Sequence, residues 1–132
     1  MTSDSLSAIA NRLKTQDNRC TSNPMFCVQI LVRDVGYDPN YATETVWVNM
    51  DSGDYEEVQP GALGAEEFGV KERWETVMVA FTEGGCEEYL RQNGHNVKRQ
   101  AHKGQIRIYV ESWNRCPEMI AIRDFLLASG DV

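Results

Sequence analysis

Long apolar runs are missing from this chain. The longest, such as Val77 to Phe81, fall far short of the ~18 consecutive apolar residues that a membrane helix needs, which excludes an ordinary bilayer span and a membrane partner. Positive charge is also scarce: 13 Lys and Arg stand against 20 Asp and Glu, for a net charge of −7. A molecule with that balance is repelled by a polyanion, and the few cations in any one segment offer only a few phosphate contacts, so duplex nucleic acid is excluded as a partner. No lysine follows a glycine loop in the Walker pattern, no dinucleotide fingerprint occurs, and the acids lack EF-hand spacing. The four cysteines do not supply zinc-knuckle pairs, because Cys20 and Cys27 are too far apart and neither Cys86 nor Cys116 has a close Cys or His partner. No metal and no cofactor are expected. The first residues, Met1-Thr2-Ser3-Asp4-Ser5, have neither the basic start nor the apolar core of a secretory leader. The expected location is a cytoplasm, with reduced thiols.

What remains is 132 residues with 42% hydrophobic and 25% charged side chains, enough for one ordinary folded domain. Leu6, Ile9, Ala10 and Leu13 repeat at i, i+3, i+4 and i+7 after a capping Ser3 or Asp4, predicting a helix from about Ser5 to Lys14. A polar loop follows to Pro24. Met25 to Arg33 is almost continuously apolar and β-branched, the pattern of a strand covered on both faces. After a turn at Gly36, Asp38, Pro39 and Asn40, Thr43 to Asn49 alternates as a strand should, and the two read as an antiparallel hairpin. Residues 51–69 hold four glycines, Pro60 and six acids and no Lys or Arg, an irregular acidic excursion.

Arg73 to Phe81 reads as a third strand. Thr82 caps a helix with Cys86, Tyr89 and Leu90 buried, which Asn93-Gly94 ends. A basic loop leads to a fourth strand, Ile106 to Glu111, and Pro117 opens a last helix with Met119, Ile122, Phe125 and Leu126 on its buried side and Gly130 past its end. The expected architecture is α+β: one domain over residues 1–132, a mostly antiparallel four-stranded sheet against helices, in the order α-β-β-β-α-β-α.

Candidate chemistry is sparse. Thr82-Glu83-Gly84-Gly85 resembles a phosphate-cradling turn, yet Glu83, Glu87 and Glu88 are acids that a helix start favours without any ligand. His95 and His102 have side chains suited to proton transfer, but neither neighbours a nucleophile, and His95 reads as docking the helix end. Against the acidic background, the cluster Arg91, Lys98, Arg99, Lys103 and Arg107, with His95 and His102 between, reads either as a solvated basic loop with no ligand or as the seat of an anionic ligand. Trp47 and Trp74 lie in strands and read as sheet-face residues. Trp113 differs, because it falls between strand and helix with Asn114 and Arg115 beside it, where an aromatic side chain can wall a pocket.

Several segments resemble an uncharacterised family of small proteins encoded by tailed bacteriophages and prophages. They are Thr15 to Thr21 with Pro24 to Gln29, Arg73-Trp74-Glu75 with Phe81-Thr82-Glu83, Asn93 to Asn96, and Tyr109 to Ser112 with Arg115 and Pro117-Glu118. The chain departs from that family's pattern at Cys116, at Met119 and in the longer Lys98 to Gln105 segment. The resemblance implies a protein working in the host cytoplasm, with no settled activity attached. The expected role is a non-enzymatic accessory protein that sequesters a small anionic, nucleotide-type signal of host defence. Its site would be Trp113, Arg115, His95, Asn96, Lys98, Arg99 and Lys103, shared between subunits of a homo-oligomer. The alternative is a protein-protein inhibitor or nucleic-acid mimic whose acidic stretch docks on a basic host or phage protein. An enzyme using His95 or Glu83 as acid or base comes third.

Overall fold

The computed structural model describes residues 3–51 and 56–128. It shows an α+β fold with three α-helices and a five-stranded antiparallel sheet. The helices are α1 (Ser3–Thr15), α2 (Glu83–Gln100) and α3 (Pro117–Ala128). The strands are β1 (Pro24–Tyr37), β2 (Glu44–Asn49), β3 (Glu57–Val58), β4 (Ala65–Ala80) and β5 (Ile106–Ser112), in the spatial order β3-β2-β4-β1-β5. Asp54, Gly130 and the capping side chains of Ser3 and Asp4 lie outside what is described. Among the described residues no helix is long and apolar enough to cross a membrane.

The chain forms two compact units, Met1–Ile30 with Glu75–Val132, and Leu31–Trp74. In the first, β1 is buried without interruption from Pro24, as its apolar run requires, and Phe26, Cys27 and Val28 are at most 1% exposed. β5 pairs antiparallel with it, Phe26 opposite Val110 and Pro24 opposite Ser112. Ala10 and Leu13 of α1 and Cys86 and Val97 of α2 complete this core.

Three expectations are corrected here. The first is the end of α2. Asn93-Gly94 does not stop it; the helix continues to Gln100. A glycine inside a helix costs about 1 kcal/mol, which is outweighed because Cys86, Val97 and Ala101, all buried, fall on one stripe that runs past Gly94. The helix closes on Ala101, whose backbone is extended (φ −83°), and the left-handed residues Lys103 (φ 54°) and Gly104 (φ 65°) belong to the short turn that follows it. The second concerns β1 and β2, which form no hairpin, since β4 lies between them in the sheet.

The third is the acidic excursion, which contains regular structure: β3, a fifth strand, and the first five residues of β4, where Val46 pairs with Phe68 and Thr45 with Gly69. Its glycines hid the strand. A Cβ on Gly69 would lie 2.6 Å from the Ala42 Cβ and 3.0 Å from the Asp38 carbonyl, so close approach of the chain demands glycine there.

The two core thiols behave as small apolar groups. Burial raises Cys27 from 9.0 to about 11, helped by the charge of Glu111, and burial raises Cys86 to about 11, helped by Cys27. Both hold their protons more tightly folded than unfolded. The stability they lend is therefore complete below pH 9 and is lost as pH rises towards 11. Urea denaturation is expected to show stability falling across that interval, with a shallower fall in Cys27→Ala/Cys86→Ala. A slope identical in the two proteins would contradict this assignment.

Candidate functional site

The Lys103 turn and the Trp113 turn, expected to share one pocket, occupy opposite ends of β5. That strand has seven residues and spans roughly 20 Å. Lys103 precedes it and Trp113 follows it. The predicted site therefore divides into two.

Arg91, His95, Lys98 and Arg99 fall at i, i+4, i+7 and i+8 on α2, from its middle to its last turn, and all are exposed, as are Asn96 and Lys103. From Tyr89 to Val110 there is no Asp or Glu. Among the described residues none of Arg91, Lys98, Arg99 or Lys103 forms an ion pair. Two local effects favour cations here without a ligand: Lys98 and Arg99 sit in the last turn, at the negative pole of the helix, and the Lys98 stem lies across Gly104. Arg107 is otherwise engaged. It donates to Gln29 Oε1 at 2.7 Å and stacks its guanidinium 4.4 Å above the Tyr109 ring. His95 projects from mid-helix and docks no helix end, correcting that expectation.

At the second end the chain is held by a ladder of hydrogen bonds. The Trp113 N–H donates to the Asn23 carbonyl (2.9 Å), the Asn23 amide to Asn114 Oδ1 (2.9 Å), and the Thr21 hydroxyl to Ser112 Oγ (2.8 Å). The Cys116 N–H closes a turn onto the Trp113 carbonyl at 3.2 Å, and Ile120 then bonds back to Cys116 as α3 begins. Ser112, Trp113, Asn114, Arg115 and Cys116 thereby line an open hollow of about 510 Å³. Arg115 is exposed and has no ion pair among the described residues. Behind the hollow, Trp113 also walls a crevice of about 10 Å³ with Asn23, Pro24, Met25, Phe81, Met119, Ile120 and Arg123.

Arg123 was missed by pattern reading. α3 buries Arg123 and Leu126, while Ile122 (42% exposed) and Phe125 (64%) face outward, so the expected apolar face is rotated. Met119, Arg123 and Leu126 share a stripe at i, i+4 and i+7. The available signal was a cation inside the apolar run Met119 to Leu127.

The remaining candidates have ordinary roles. Thr82 accepts the Gly85 N–H at 3.0 Å as a helix cap, and Glu83 pairs with Arg19 at 2.6 Å. Gly84 makes room for Arg12 and Gly85 for Ala80. In the unit Leu31–Trp74, Glu57 is engaged by Arg33, which also reaches Glu44 at 3.7 Å. A cleft of about 300 Å³ there is lined, among the described residues, by Val35, Gly36, Val48, Met50, Phe68 and the acidic Glu57. Among the described residues no three His, Cys, Asp or Glu side chains gather as a metal centre requires.

Comparison of the chain with protein-family models, with curated proteins and with solved structures returns no match. The resemblance to phage proteins rests on the quoted segments alone.

Proposed function

We propose that the protein acts by binding, without catalysis, and that its ligand is a small anionic molecule of nucleotide size received in the Trp113 to Cys116 hollow. The observation that carries this reading is one of charge. In a chain of net −7, the described residues lining the hollow and the crevice behind it include two arginines and an indole and no carboxylate. A volume of about 510 Å³ lies in the range of small-ligand sites. Arg115 supplies a planar fork for phosphate oxygens, Trp113 a face for a base, and Asn114 and Ser112 neutral hydrogen-bonding groups. Set beside the phage-family resemblance, such binding would withdraw a nucleotide signal of host defence inside the host cell.

A second reading is favoured by the α2 face. Its cations are exposed along one helix face, which suits an acidic protein surface better than a small molecule. The acidic stretch as a docking face has less support, because Glu57 already pairs with Arg33.

Thermal unfolding with ADP, AMP and pyrophosphate tests the first reading. A ligand at a hundredfold its Kd is expected to add about 2.7 kcal/mol of stability, a rise of several degrees, which Trp113→Ala removes. No shift with any of the three would contradict it.

A further inference from the structure

Arg123 is 7% exposed, and its Nε is enclosed without a hydrogen-bond partner. No ion pair among the described residues includes it. A buried guanidinium is almost always paired, because removing it from water without a counter-charge is strongly unfavourable. Of the residues that line the crevice with it, Pro24, Met25, Phe81, Met119 and Ile120 have apolar side chains, and the Asn23 side-chain amide is given to Asn114. Packing alone would be met by methionine, with no charge to desolvate. Among the described residues, Trp113 is the wall that the crevice shares with the open hollow.

We infer that Arg123 is the anion anchor of this site and that Trp113 is the movable partition in front of it. On binding, the indole turns aside, the ligand's phosphoryl oxygens reach the Arg123 guanidinium, and Arg115 closes on them from the exposed side. This rests on the proposed function of the hollow and adds which buried residue recognises the ligand and which group the ligand must carry. The unpaired charge is then a stability sacrifice held for binding, a common feature of functional sites.

The test uses the arginine Nε–Hε region of the NMR spectrum, with pyrophosphate and ADP as probes. One such signal, protected from water and missing in Arg123→Lys, is expected to shift on addition of either probe together with the Trp113 indole N–H. Arg123→Met is expected to melt a few degrees higher than the parent without ligand and to bind at least tenfold more weakly. If the Trp113 signal responds while the Arg123 signal stays fixed, or if Arg123→Lys binds as the parent does, the anchor is overturned and the hollow stands. If no signal moves with either probe, the proposed function falls and the anchor with it. Should Arg123→Met fail to fold, Arg123 is structural in the free protein, and the stability part of the argument is refuted.

Discussion

Replacing Phe26 with alanine is expected to remove about 3–5 kcal/mol of stability, the usual cost of deleting a fully packed aromatic ring. Phe26 is 1% exposed, sits in the continuously buried part of β1, and lies opposite Val110 of β5. For a domain whose whole stability is roughly 5–15 kcal/mol, that loss is a large fraction. The melting temperature should fall by on the order of 10 °C or more, and urea denaturation should show a lower midpoint with an unchanged slope. Leu63, fully exposed, is the control: Leu63→Ser should change stability by less than about 0.5 kcal/mol. A Phe26→Ala loss below about 1 kcal/mol would mean that β1 is not the centre of the core.

The second large effect is on binding. Arg115→Ser is expected to weaken ADP and pyrophosphate by about 10- to 100-fold, since a hydrogen bond to a charged group contributes roughly 1.5–3 kcal/mol. Because Arg115 is exposed and makes no ion pair among the described residues, its loss should leave the melting temperature of the free protein almost unchanged. Arg115→Lys keeps the charge but loses the planar fork, so it should restore only part of the affinity. A uniform loss of stability and affinity together would instead indicate that the turn had been disrupted.

Local pattern made the helices and the most enclosed strand readable, although the middle place in the sheet belongs to β4 and not to β1. Ala10 and Leu13 are buried as the α1 stripe requires, and the apolar run from Met25 marks the most enclosed strand. Pairing was not readable in the same way. Alternation in Thr43 to Asn49 shows that a strand exists and not which strands it meets, and its partners are β3 and β4 rather than β1. Gly64 and Gly69 disguised the start of β4, and Asn93-Gly94 suggested an end that the buried Val97 overrode. The site divides along the same line. Trp113 and Arg115 share one turn, so their proximity was visible in the sequence. Lys98, Arg99 and Lys103 were grouped with them by charge, although a whole strand separates the two. Arg123 was hidden because an arginine among apolar residues usually marks an exposed helix position, and here α3 turns it inward.

Calorimetric titration of ADP and pyrophosphate tests the central claim most directly when run on three proteins: the parent, Trp113→Ala/Arg115→Ser, and Lys98→Ser/Arg99→Ser/Lys103→Ser. The account predicts binding by the parent, at least a hundredfold loss in the double variant, and affinity within a few-fold of the parent in the triple variant. Undiminished binding by the double variant, or loss confined to the triple variant, would contradict it.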